Sequence, residues 1–219
     1  MSAEELRPDE SDSEPDEPLR LTVGDRTLEF LRSKQPEARE LVATRPYWSV
    51  VWPSTKALLE VLLAVPDLSG RRILDLGCGL GVLGLVAAAR GADVVLGDIR
   101  PEAVASVKAS AVRNRLDVKV VELDWNNPPD PLGPFDGILA ADVFYEDGML
   151  RGVLRFVRKH LSDDGIAWIA DPNRVMPGGV DGAARLSGLE CNASTLTQGR
   201  TFEGGVILYE LWKRKHRLG

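Results

Sequence analysis

The stretch that decides the fold is Ile73 to Gly84, "ILDLGCGLGVLG". The apolar run "RRILDLG" predicts a short buried strand, and Gly77, Gly79 and Gly81 follow it at once. The small residues of "LGVLGLVAAAR" then predict a helix that ends at Gly91. Glycines between a strand and a helix permit a tight turn and a close approach of the backbone to a ligand. The stretch therefore predicts a strand, a ligand-binding loop and a helix.

The residues that follow repeat this alternation of strand and helix. Strands are predicted at "ADVVLGD", "DVKVVELD", "FDGILAAD" and "GIAWIAD", with helices at "RPEAVASVKASAVRNR" and "EDGMLRGVLRFVRKHL". After Asp171 the alternation stops, and "GLECNASTLT" and "GGVILYELWKR" are too close for a crossover helix, so they should pair antiparallel. The pattern predicts an α/β, Rossmann-like, doubly wound mixed sheet with helices on both faces. Its seven strands are five parallel strands plus a C-terminal antiparallel pair.

The segment before the sheet divides into two parts. Residues 1–18 carry eight acidic residues against Arg7, a net charge of -7 in a chain whose total is -6. We expect them to form a disordered acidic tail. Residues 19–53 are predicted to be an N-terminal extension with a hairpin at "VGD" and the aromatic segment "PYWSVVWP". The main domain would then span residues 54–219 and begin with a helix capped by Ser54.

The composition argues against several classes of protein. Two cysteines and two histidines in 219 residues provide little for a disulfide framework, a metal site or a Ser-His-Asp triad. No apolar run is long enough to span a bilayer, and the N-terminus has no signal-peptide core. The basic run "KRKHR" is short and the chain is acidic overall. We expect a cytoplasmic monomer that binds no metal, no nucleic acid and no membrane.

Carboxylates mark the ends of the predicted strands. Asp98 ends the strand after the glycine loop, where it could accept hydrogen bonds from ribose hydroxyls. Asp75 stands two residues before Gly77, and would repel a pyrophosphate but attract a cationic amino group. Asp124 and Trp125 follow the third strand, where they could bind the amine and the face of an adenine. The three carboxylates together suit a cationic adenosine ligand such as S-adenosylmethionine.

An alternative ligand is a dinucleotide. Gly79, Gly81 and Gly84 also satisfy the G-x-G-x-x-G pattern, and Asp98 would suit NAD. An NAD-dependent oxidoreductase therefore stays open at this point.

Three motifs carry a family resemblance. "LDLGCGLG", "GDI" and "LDW" resemble the first motif, the strand-two acid and the adenine-side motif of class I, seven-strand methyltransferases that use S-adenosylmethionine. The resemblance covers roughly Ile73 to Asp142. It implies that residues 54–219 form a methyltransferase domain, that S-adenosylhomocysteine is the product and that no metal is needed. Cys78, inside the loop, is then a small structural residue and no nucleophile.

The end of the fourth parallel strand, "AADVFYED", resembles the D-x-x-Y signature of protein lysine methyltransferases. It implies catalytic roles for Asp142, which would hold and deprotonate the acceptor amine, and for Tyr145, which would form an aromatic wall. "PYWSVVWPSTKALL", "DVFYED" and "ADPNR" are similar to segments of the lysine methyltransferases of the electron transfer flavoprotein β-subunit and their bacterial relatives. One departure is Asn173, where a glycine is expected.

This resemblance implies further site residues and a protein substrate, the flavoprotein β-subunit. Trp52 would line the methionine end of the cofactor pocket. The acceptor entrance would be formed by Tyr47, Trp48, Phe144, Asp171 and Arg174. Other acceptors stay open, namely a ribosomal protein or a small amine or nicotinamide-like ring, as does a silent module that binds S-adenosylmethionine without catalysis.

Overall fold

The computed structural model describes residues 18–31, 47–144, 148–172, 179–196 and 205–214. Seven of its strands form one sheet in the order β5-β4-β3-β6-β7-β9-β8. Their bounds are β3 (Arg72–Leu76), β4 (Asp93–Asp98), β5 (Lys119–Glu122), β6 (Phe135–Ala141), β7 (Leu161–Asp171), β8 (Leu189–Leu196) and β9 (Val206–Lys213). β3 to β7 are parallel, and β9 runs antiparallel between β7 and β8. The predicted fold class is confirmed.

The helices cover both faces of this sheet. They are α1 (Pro53–Ala64), α2 (Val82–Ala89), α3 (Pro101–Asn114), α4 (Met149–His160) and α5 (Val180–Leu186). Side chains alternate along β3, so Ile73 joins the apolar cluster under α1, α2 and α3, while Leu74 and Leu76 join the cluster under α4 and α5. Asp75 shares the face of Ile73, which directs its carboxylate toward α2.

Two local predictions need correction. Ser54 does not cap α1, because the helix begins at Pro53 with Trp52 as its N-cap residue and no side chain caps it. Proline is favoured at this first helical position because its missing N–H has no partner there in any case. The short helix α5 was not predicted, since its glycine-containing sequence gives no clear apolar period.

The predicted hairpin forms from β1 (Leu19–Val23) and β2 (Arg26–Phe30), and it docks on α3. Asn114 Oδ1 accepts a hydrogen bond from the Glu29 amide at 2.8 Å, and Asn114 Nδ2 donates to the Glu29 carbonyl at 2.7 Å. Ser110 Oγ accepts from the Leu31 amide at 2.8 Å. Side chains of α3 thus form hydrogen bonds with backbone groups on the outer edge of β2 and with the residue that follows it. The predicted acidic tail and the segment 32–46 lie outside the described residues.

The topology fixes where a ligand can bind. β3 lies between β4 and β6. The chain leaves β3 and its neighbour β6 toward opposite faces of the sheet. A crevice opens at such a switch point, outside the carboxyl ends of the strands. Among the helices of the described segments, none has the length and apolar character that crossing a membrane requires.

Candidate active site

A cavity of about 810 Å³ occupies this crevice. Its volume lies within the range of small-molecule sites. The walls come from the glycine loop, the end of β4, the turn after β5, the end of β6 and the segment between Tyr47 and Thr55. The structure therefore brings together parts of the chain that are up to 96 residues apart, from Tyr47 to Val143.

The glycine loop forms the floor of the cavity. Gly77, Gly79 and Gly81 have φ angles of 69°, 52° and 75°, which residues other than glycine rarely adopt. A methyl group at Gly79 would also lie 2.9 Å from the Trp48 carbonyl oxygen. Gly77 and Gly79 line the cavity, whereas Gly81 is the N-cap residue of α2 and packs against Val107. Gly81 therefore packs against the core and does not line the cavity.

Asp98 ties this loop to the end of β4. Its Oδ2 accepts from the Gly79 amide and its Oδ1 from the Arg100 amide, both at 2.9 Å. The side chain is buried and lines the cavity, as predicted. Burial raises the pKa of Asp98, and the amide hydrogen bonds partly oppose that rise.

Asp75 lies deeper, at the base of the same cavity. It is 2% exposed, and its Oδ2 accepts from the Gly84 amide at 2.8 Å. Burial raises the pKa of Asp75 to about 7; the Gly84 hydrogen bond opposes this rise and the charge of Asp98 adds to it. Half of the Asp75 carboxyls would therefore be protonated near neutral pH, and a nearby cation would favour the ionised form.

The turn after β5 contributes one of its two predicted residues. Trp125 is half-buried and lines the cavity. Asp124 does not line it; its Oδ1 accepts from the Asn126 amide at 2.8 Å and closes a local turn. The structure therefore does not place Asp124 on the wall of the cavity.

The aromatic segment lies across the mouth of the cavity. Tyr47 is 78% exposed and stacks on Trp52, with ring centroids 5.7 Å apart, and Trp52 Nε1 donates to the Tyr47 carbonyl at 3.0 Å. Both rings line the cavity. Trp48 also lines it, but its side chain is 7% exposed and belongs mainly to the apolar core.

Asp142 directly follows the strand β6 and lines the cavity. Its φ angle is 58°, an uncommon value that aspartate tolerates better than most residues. Its amide donates to the Ala170 carbonyl at 3.0 Å, which holds this conformation. Strained backbone of this kind is found disproportionately at functional sites.

Two predicted entrance residues, Phe144 and Asp171, do not line the cavity. Phe144 is 2% exposed and packs in the core beneath α4 and α5. Asp171 is 2% exposed at the end of β7, which is paired on both sides by β6 and β9, and it does not line the cavity. Tyr145, Asn173 and Arg174 lie outside the described residues.

Sequence reasoning missed several lining residues. Ile99 and Arg100 line the cavity directly after Asp98, and Thr55 lines it from the first turn of α1. Their position just beyond a parallel strand was the available signal for Ile99 and Arg100. Burial raises the pKa of the Cys78 thiol well above its ordinary value, which agrees with the expected structural role of this cysteine.

The model of the methyltransferase small domain family matches residues 48–173. The chain belongs to this family. The matched range contains β3 to β7 and every residue that lines the cavity except Tyr47. Membership of the methyltransferase small domain family confirms the resemblance inferred from the three motifs.

Two curated relatives and one solved structure illustrate the similarity. The electron transfer flavoprotein beta subunit lysine methyltransferase of Danio rerio is 35% identical over 59% of this chain and 51% of its own length. The histone-arginine methyltransferase METTL23 of Xenopus laevis is 33% identical over 62% of this chain and 64% of its own. The chain thus spans about half to two thirds of the length of these relatives. A TehB-like methyltransferase from Corynebacterium glutamicum shares the fold, with a TM-score of 0.58 and 24% identity over 72% of this chain and 86% of that one.

Proposed function

We propose that the protein is an S-adenosylmethionine-dependent protein-lysine N-methyltransferase that acts on the electron transfer flavoprotein β-subunit. One observation carries the proposal. A single cavity is lined by a glycine loop and three buried carboxylates, Asp75 and Asp98 at the ends of β3 and β4 and Asp142 after β6. This arrangement offers a place for a cationic nucleoside and, beside it, a group able to receive a proton from an amine.

The charges that line the cavity fit S-adenosylmethionine. The described residues that line the cavity include three carboxylates, Asp75, Asp98 and Asp142, and one basic side chain, Arg100. A dinucleotide would place two phosphate charges against these carboxylates, which disfavours NAD. A ligand with an ammonium and a sulfonium would be attracted instead. We therefore prefer the methyl donor to the dinucleotide.

The residues that would hold the donor follow from their positions. Asp98 would accept hydrogen bonds from the ribose hydroxyls, above the floor formed by Gly77 and Gly79. Trp125 would pack along the adenine, and Asp75 would face the ammonium. Trp52 would present its ring to the sulfonium. When bound, S-adenosylmethionine supplies an electrophilic methyl group and S-adenosylhomocysteine remains.

Asp142 would act on the acceptor. A lysine side chain arrives as an ammonium, which cannot attack a carbon until it loses a proton. The Asp142 carboxylate would hold this ammonium, orient it and accept the proton. The aromatic side chains that line the cavity would align the amine, and alignment accounts for much of the rate enhancement in such transfers. Tyr145 is proposed as an additional wall of this acceptor site.

The acceptor identity rests on the similarity to the flavoprotein lysine methyltransferases. A second candidate is an arginine acceptor, because a histone-arginine methyltransferase matches the chain over a comparable range. A ribosomal protein or a small amine remain further possibilities for the same site.

The experiment that tests the proposal is labelling of a methyl-depleted extract with labelled S-adenosylmethionine, followed by mass spectrometry. The proposal expects label on a lysine of the flavoprotein β-subunit. Label on an arginine would overturn the proposed lysine acceptor. Label on a ribosomal protein or on a small molecule would overturn the proposed substrate. Tight donor binding with no labelled acceptor would favour a silent module, and tight NADH binding an oxidoreductase.

A further inference from the structure

Helix α4 contains a buried glycine, Gly152, in its second turn. A glycine inside a helix is less favourable than alanine, because it loses more backbone freedom when the helix forms. Its neighbours on the buried face are large apolar residues, Leu150, Val153 and Leu154. The glycine therefore requires a local reason.

The reason is the indole of Trp125. A methyl group at position 152 would lie 3.2 Å from Trp125 Cδ1 and 3.3 Å from Trp125 Nε1, and 2.6 Å from Asn126 Oδ1. Asn126 is exposed, so the end of its side chain can turn away. On its other side Trp125 faces the glycine loop, where a methyl group at Gly77 would meet Cζ3, on the second ring of the indole, at 4.0 Å. The indole thus spans the gap between α4 and the glycine loop.

We infer that Gly152 is a positioning residue for the donor site: it leaves the space that lets Trp125 lie back against α4 and keeps the cavity open. This inference rests on the proposed function, because Trp125 is proposed to pack along the adenine. Gly152 itself does not line the cavity. Any side chain at position 152 would push the five-membered ring of Trp125 away from the helix and toward the glycine loop.

The test compares four variants in S-adenosylhomocysteine binding by calorimetry. Gly152→Ala should weaken binding about fivefold or more, because the displaced Trp125 indole would occupy part of the space that the ligand needs. Gly182→Ala is the matched control, since Gly182 also lies inside a helix, α5, but has open space around its Cα. It should leave affinity unchanged. Trp125→Ala removes the whole indole, including Cδ1 and Nε1, so Gly152→Ala added to Trp125→Ala should have little further effect.

Kinetics provide a second readout. With a methylated acceptor identified, Gly152→Ala should raise the KM for S-adenosylmethionine and leave kcat at saturation near the wild-type value, because Asp142 and the acceptor side are untouched. Additive effects of Gly152→Ala and Trp125→Ala on affinity would overturn the inference. So would wild-type affinity in Gly152→Ala.

The failure of this inference can be told apart from failure of the proposed function. If the wild-type protein binds no S-adenosylmethionine or S-adenosylhomocysteine, the proposed function fails. The contact between Gly152 and Trp125 is then still tested by thermal unfolding of the ligand-free protein. Gly152→Ala should lower Tm in the wild-type background but not in the Trp125→Ala background. The absence of this coupling would refute the packing argument itself.

Discussion

The pH dependence of ligand affinity follows from the burial of Asp75. The proposed site needs the ionised carboxylate to face the ligand ammonium, yet burial raises the pKa of Asp75 to about 7 in the ligand-free protein. Binding must then release the Asp75 proton at low pH. With a pKa of about 7, the ionised fraction rises from about a tenth at pH 6 to about three quarters at pH 7.5. The affinity for S-adenosylhomocysteine should therefore rise about eightfold over this interval.

The assay is calorimetry at a series of pH values in buffers that differ in ionisation enthalpy, which also counts the protons released. The matched ligand is 5′-methylthioadenosine, which lacks the amino-acid part and should show a much flatter profile. Asp75→Asn should flatten the profile for S-adenosylhomocysteine as well. An affinity that is constant or falls between pH 6 and pH 7.5, or an equal slope for both ligands, would refute the pairing of Asp75 with the ammonium.

Three further predictions concern single residues. Asp142→Asn keeps a residue that tolerates the positive φ angle but removes the charge; methyl transfer should fall by about 100-fold or more while S-adenosylhomocysteine affinity stays unchanged, and a parallel loss of affinity in calorimetry would argue for a structural role. Trp52→Ala should weaken S-adenosylmethionine binding more than it lowers the Tm of the ligand-free protein; the reverse order would make it a packing residue. At pH 8, Asp75→Asn should stabilise the ligand-free protein in urea unfolding. The reason is that the raised pKa of the Asp75 carboxyl makes the wild-type protein lose stability as pH rises from about 4 through about 7. If the stability gained by Asp75→Asn instead grew toward pH 4, the sign of this effect would be wrong.

The strands and the glycine loop could be predicted because they depend on local periodicity. The switch of apolar period around "ILDLGCGLG" and the absence of a crossover helix between the last two strands were sufficient for the seven-stranded sheet. Asp75, Asp98 and Asp142 could also be placed, since parallel strands end at one edge.

Side-chain directions after a strand end could not be predicted in this way. Asp124 bonds its own turn through the Asn126 amide. The positive φ angle of Asp142 redirects the chain so that Phe144, two residues later, enters the core. No sequence motif marks Gly152, because its role depends on a contact with Trp125, 27 residues earlier in the chain. Such contacts exist only once the sheet has brought α4 against the turn after β5.

The most direct test of the central claim is methyl transfer to purified electron transfer flavoprotein β-subunit, followed by intact-mass and peptide mass spectrometry. Wild-type protein with S-adenosylmethionine should add methyl groups to a lysine of that subunit, and Asp142→Asn should add none above background. No mass change with a protein that binds S-adenosylmethionine tightly, or methylation confined to arginine, would contradict the account.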